Sequence, residues 1–442
     1  MFLTDTLKNK MIQNVFYSFV ICFLLCGPLV KSIRTNRLHG EIGNENSPLQ
    51  SGISEEWRAV PWAIDDLKLG QVSGVSLDPN DNVYIFHRGE RKWEYSTFTN
   101  KNVYTGKASG PIKDSAILIF DSEGRTLNKL GANMFFLPHG ITVDNDFNIW
   151  VTDVALHQVF KLSPNSSKIL LKLGEEFVPG SDSKHFCKPT SVAVLANGDF
   201  FVADGYCNSR IMKFNSGGKM ILEWGRGTSG YRPDNYQLRV PHALTLIEDK
   251  GLLCTADREN GRIICYTTKD GTYATQYSSE FMGSRLFSVA YSSIFGGRLF
   301  VVNGPSSSAL IPVQGFVLSL NGQILGNFGS GLKNPHDVAT SSNGSVVYVV
   351  EIGPNRAWKF VYNNPGTTVP QVTETPKLFP QESKPAEINK SSDDGEGLTG
   401  AILVTVSCFV FAFGLLIIIM YYSKSKKSGN GDTKRLLSNR EY

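Results

Sequence analysis

The chain has 442 residues and sets 44 Lys and Arg against 40 Asp and Glu, a formal charge of +4. So small and scattered an excess gives no argument for a nucleic-acid partner, and none is expected; the length allows one large domain with segments at either end. Residues 1–32 carry Lys8 and Lys10, an apolar core from Val15 to Leu25 and small residues near Gly27, the order of a secretory signal sequence. Residues 33–56 are polar and are expected to form a flexible segment.

From 57 to 363 one pattern occurs six times, opening at Ser73, Pro138, Pro189, Pro241, Leu286 and Pro335. Each copy has a short alternating strand, a turn usually rich in Gly, Asn or Asp, and a strongly apolar strand. Most add a polar Asp or Asn cluster and a third strand such as SRIMKF or RAWKF. Helical periodicity is not sustained here. A repeat of roughly 50 residues made of short strands is a propeller blade. The expected fold is therefore all-β, a six-bladed β-propeller.

Residues 364–397 are rich in Pro, Thr, Ser, Glu and Lys and are expected to be a disordered stalk. Residues 398–422 are apolar, uncharged and long enough for a transmembrane helix, edged by Tyr421 and Tyr422. Lys424, Lys426 and Lys427 follow at once, so 423–442 is expected to be a cytoplasmic tail and the chain a type I membrane protein of the secretory pathway, its propeller luminal or extracellular. Cys22, Cys26 and Cys408 fall in the apolar ends, leaving Cys187, Cys207, Cys254 and Cys265 for two disulfides in an oxidising compartment. Pairing within each blade, 187 with 207 and 254 with 265, is favoured over the other two connectivities. A Cys/His metal cluster is disfavoured because no C-x-x-C spacing occurs. Sequons at Asn165, Asn343 and Asn389 are candidate glycosylation sites.

Pro-His pairs open copies two, four and six, at His139, His242 and His336. The innermost strand of each blade lines the axial channel, so these side chains are expected about 120° apart around the axis. Three neutral imidazoles with an open fourth position make a catalytic Zn²⁺ site. Arg88 in FHRGE, Tyr206 in ADGYCNSR and Arg258 in ADRENGR end the apolar strands of copies one, three and four, so two guanidiniums and a phenol should surround the metal. Arg suits a carboxylate bidentately, and a phenol can act as acid or base. His87 and His157 are read as structural.

The runs FHRG, LPHG, WVTDVALHQVFKL, HFCKPTSVAV, ADGYCNSRI, ADRENGRI, PVQGFV and PHDV resemble those of peptidyl-α-hydroxyglycine α-amidating lyases, across the whole propeller. The resemblance implies a lyase releasing glyoxylate and a peptide amide from a peptidyl-α-hydroxyglycine. It implies His139, His242 and His336 as zinc ligands, Tyr206 as catalytic base, and Arg88 and Arg258 as substrate-binding and catalytic arginines. It also implies a structural calcium held at Val75, Ile141 and Asp337, and the two pairings given above. Asn334 departs from the family, which commonly has Met beside the third ligand. The copper-dependent hydroxylating domain of many relatives is not expected here, so a separate hydroxylase would supply the substrate.

Two other classes compete. A non-enzymatic propeller of the NHL-repeat kind would bind proteins, and a lactonase-type propeller would need a cage of Glu, Asn and Asp around calcium, which three histidines argue against.

Overall fold

Six runs are apolar with almost no alternation: Val83–His87, Ile149–Asp153, Phe200–Asp204, Leu252–Asp257, Arg298–Asn303 and Val346–Glu351. Such strands are stable only where both faces of a sheet are covered. The computed structural model, which describes residues 55–363 apart from 63, 65, 66, 229, 231 and 307–310, provides that cover. The expected signal sequence, stalk, membrane span and tail, most of the segment 33–56, and Asn389 lie outside the described residues. Among the described residues there are strands and short 3-10 turns, and no helix is long and apolar enough to cross a membrane.

Each of the six runs is the second strand of an antiparallel unit. Four units are separate four-stranded sheets, and an eight-stranded sheet holds the remainder, giving an all-β, propeller-like fold. The first strands of the units are Val72–Leu77, Pro138–Val143, Ser191–Val194, Pro241–Ile247, Leu286–Ser292 and Pro335–Thr340. Each lies beside the next, and the last lies beside the first, so they form a closed ring. Six apolar clusters fill the spaces between successive units. Phe200 illustrates their tightness: fully buried, it stacks on Phe214 at 5.1 Å and meets Trp150 at 4.5 Å. Phe200→Ala should cost about 3–5 kcal/mol, read as a lowered denaturation midpoint.

Outer strands such as Thr126–Leu130 are largely exposed and lack a clear apolar pattern, which is why the repeat reveals three strands per unit and not the fourth. The last unit takes its outer strand from the other end of the chain. Glu55–Val60 pairs antiparallel with Arg356–Tyr362, Trp57 opposite Tyr362, and Glu55 and Glu56 also pair in parallel with Gly326 and Asn327. That second pairing joins two four-stranded runs into the eight-stranded sheet, and it starts strand structure two residues before the expected boundary at 57. The disulfides Cys187–Cys207 and Cys254–Cys265 are both formed, as expected. Closing loops of this size stabilises a fold by about 3 kcal/mol each.

Candidate metal centre and its surroundings

One position recurs in five inner strands and just before the sixth, occupied by Ser73, His139, Thr190, His242, Phe287 and His336. In those five the pairing register slips around this residue. In the other, Thr190 lies just before its strand and donates its N–H to Ala203 O. Such bulges re-aim side chains and free backbone groups. Here the two effects alternate around the ring. His139 Nδ1 donates to Thr190 O at 2.8 Å, His242 Nδ1 to Phe287 O at 2.7 Å and His336 Nδ1 to Ser73 O at 2.7 Å. Each imidazole is thus fixed by the carbonyl of the next unit.

A carbonyl can only accept, so each Nδ1 carries the proton and each Nε2 presents a lone pair. The three rings form a near-equilateral triangle with centroids 4.8, 4.8 and 4.6 Å apart, and their ligand atoms lie within 4.8 Å of one another. All three are buried. Burial, then the neighbouring histidines and arginines, holds His139 and His242 well below the usual histidine range, and burial and Arg88 bring His336 down to about 3. Neutral imidazoles with converging lone pairs are what a tetrahedral Zn²⁺ ligand set requires. Gly140 permits the close approach, since a Cβ there would sit 2.3 Å from Thr190 O.

Tyr206 leans over this triangle. Gly205 lets the chain pass, because a Cβ there would meet Pro241 O at 2.2 Å, and Cys207 ties the turn to Cys187. The Tyr206 hydroxyl lies 3.0 Å from His139 Nε2 and 3.4 Å from His242 Nε2. One phenolic proton cannot satisfy three lone pairs. Arg258 Nη1 donates to the Tyr206 oxygen at 3.3 Å, and its guanidinium carbon is 5.2 and 5.0 Å from the Tyr206 and Phe287 ring centroids. Arg88, expected at a strand mouth, is instead almost fully buried, its Nε on Pro138 O at 2.9 Å and Nη1 on Gln71 Oε1 at 2.8 Å. Solvated turn charges do not describe either arginine.

His87 and His157 are engaged elsewhere, His87 Nε2 donating to Ser115 O and His157 Nε2 to Asn102 O. Their other ring nitrogens accept from Gly89 and Lys188 N–H. Asn334 donates its N–H to Glu351 Oε1 at 2.8 Å, so a carboxylate at the end of the neighbouring strand seats the segment before His336. Asn165 and Asn343 are exposed.

Behind the histidines runs a channel of about 580 Å³, lined among others by Val75, Ile141 and Asp337. Asp337 accepts from Val75 N–H at 3.0 Å, Ser288 Oγ at 2.6 Å and Val338 N–H at 3.0 Å. Burial raises its carboxyl to about 6 despite those bonds. A half-buried carboxylate facing the channel suits a hard cation, with water completing the six to eight ligands Ca²⁺ would need.

Sequence reasoning missed four neighbours. Gln71 Oε1 also accepts from Trp93 N–H at 3.0 Å, and the Trp93 ring packs on Tyr206 at 4.7 Å. Glu259 lies between Arg258 and Arg285 and accepts from both. Of these only Glu259, next to Arg258 in ADRENGR, lay in a motif already singled out.

A propeller-like disc with a three-histidine centre on its axis defines the class. Residues 186–214 match the family model described as NHL repeat. Over 321 residues the chain is 48% identical to peptidyl-alpha-hydroxyglycine alpha-amidating lyase 1 of Drosophila melanogaster, covering 69% of this chain and 59% of that one. It is 45% identical over 312 residues to lyase 2 of the same organism, covering 68% and 74%. With peptidyl-glycine alpha-amidating monooxygenase A of Xenopus laevis it shares 48% identity over 329 residues, 71% of this chain and 35% of that one. The chain belongs to the peptidyl-α-hydroxyglycine α-amidating lyase family. It spans 59% of the first of these relatives and about a third of the monooxygenase.

Proposed function

We propose that this protein cleaves peptidyl-α-hydroxyglycines to a peptide amide and glyoxylate, using Zn²⁺ held by His139, His242 and His336. The observation that carries the reading is the Tyr206 hydroxyl, placed against two of the three Nε2 atoms and against Arg258. Bound at the three imidazoles, Zn²⁺ would supply Lewis acidity toward the substrate's α-hydroxyl.

The remaining work falls to the chain. Arg88 and Arg258 bring positive charge to the metal end of the disc, suited to the substrate carboxylate. Tyr206, acting as the phenolate, takes up the hydroxyl proton and passes it to the departing nitrogen. As the C–O bond gains carbonyl character the C–N bond breaks, its electron pair leaves with the amide nitrogen, and that nitrogen acquires a proton. The family resemblance supports the substrate class, and the inclusion of an amidating monooxygenase among its relatives supports a hydroxylation step upstream, by a copper-dependent peptidylglycine hydroxylase.

Finer features of the reading rest on the sequence. The disc is six-bladed, the eight-stranded sheet counting as two blades, which the closed ring of six inner strands supports. Calcium in the channel, held at Val75, Ile141 and Asp337, is structural. The sequons at Asn165, Asn343 and Asn389, the signal-like segment at 1–32 and the apolar run at 398–422 support a catalytic disc in the secretory lumen or outside the cell.

The test is direct. The purified full-length protein should hold about one zinc per chain and release glyoxylate from an α-hydroxyglycine peptide, both lost together on chelation and restored by zinc. A zinc-loaded protein releasing none would leave the binding-module reading in its place.

A further inference from the structure

The Arg258 side chain is held more closely than a substrate contact alone would require. Its guanidinium carbon lies 5.2 Å from the Tyr206 ring centroid and 5.0 Å from that of Phe287, so two aromatic rings pack near it. Two hydrogen bonds fix its orientation. Nη1 points at the Tyr206 oxygen, and Nε donates to Glu259 Oε1 at 2.8 Å.

Glu259 is in turn anchored from the following unit. The same Oε1 accepts from Arg285 Nε at 3.0 Å and Nη2 at 2.7 Å. Arg285 is rigid on its own account: Nη1 donates to Pro305 O at 3.1 Å, its carbonyl accepts from Gly304 N–H at 3.1 Å, and its guanidinium lies 5.1 Å from the Phe287 centroid. Backbone N–H groups of Arg258 and Glu259 donate to Val240 O and Arg239 O, so the carboxylate is left to the two guanidiniums. Burial opposes the charge on Glu259, but Arg258 and Arg285 more than offset it and hold the carboxyl below its usual range. Two cations this close repel unless one anion lies between them.

We propose that Glu259 is a positioning residue for this site, one carboxylate oxygen bridging Arg285 to Arg258 and thereby fixing the Arg258 guanidinium against the Tyr206 oxygen. The proposal rests on the lyase reading. It assigns to Arg285 a supporting role at a distance from the metal, and it makes the junction between two successive units part of the catalytic geometry.

The experiment is a double-mutant cycle on the full-length protein, with glyoxylate release measured under enzyme excess and zinc content alongside. Glu259→Ala should lower the rate between about 10- and 100-fold, the effect of a small misplacement of a positioned group, with zinc unchanged. Glu259→Gln, which keeps an acceptor oxygen and loses the charge, should recover part of that loss, and it stands in if the alanine variant does not fold. In an Arg258→Lys background the fork is already gone, so Glu259→Gln should cost little more. A rate equal to the parent's, or the same fold-loss in both backgrounds, would overturn the proposal. Absence of glyoxylate release by the parent would instead overturn the lyase reading itself.

Discussion

Tyr206→Phe is expected to slow turnover of an α-hydroxyglycine peptide by about 10²- to 10⁴-fold, the usual worth of a positioned acid or base. The ring should stay where it is. Its packing against Trp93 at 4.7 Å and against His139 at 5.4 Å uses carbon atoms that phenylalanine retains, and the Cys187–Cys207 bond holds the adjacent backbone. What disappears is one oxygen, with its bonds to His139, His242 and Arg258. Zinc content and thermal midpoint should therefore match the parent. A variant that turns over substrate at the parental rate would show that the phenol only packs, and the base would have to be sought elsewhere.

His336→Ala should be more damaging still. Two imidazoles remain, too few for a stable zinc centre with an open position, and Lewis acidity worth several kcal/mol is lost with the ion. Activity should fall at least about 10³-fold, since each 1.36 kcal/mol is a factor of ten. The same substitution deprives Ser73 O of its donor, so a modest loss of stability, about 1–3 kcal/mol, should accompany it. Metal analysis after dialysis and a glyoxylate assay are sufficient measurements. Stoichiometric zinc with full activity in this variant would remove His336 from the ligand set.

The three histidines are legible in the sequence because a repeat carries phase. Once the copies are aligned, Pro-His at alternate units places three identical side chains at equivalent angles, and no contact need be known in advance. Tyr206, Arg88 and Arg258 follow from the same phase, one strand later. The groups that orient the histidines are a different matter. Thr190, Phe287 and Ser73 act through carbonyl oxygens, which every residue has, so their identities give no clue. Gln71 and Arg285 escape for another reason: each matters only through a partner distant in sequence or in another unit, Arg88 for the first and Glu259 for the second. The double role of Glu55–Val60 is equally hidden, since six polar and apolar residues in a row say nothing about two edges meeting on either side of them.

That clasp bears on how the protein is made. His336 and the Ser73 carbonyl that orients it are 263 residues apart, brought together only when the last unit meets the first. A nascent chain emerging from the ribosome can fold its early sheets one after another, yet until the final strands appear it holds two of three imidazoles and an open circle. Under the zinc reading proposed above, metal capture would follow the meeting of the last unit with the first. A chain truncated before Pro335–Thr340 would lack His336, and with it the third imidazole of the proposed ligand set.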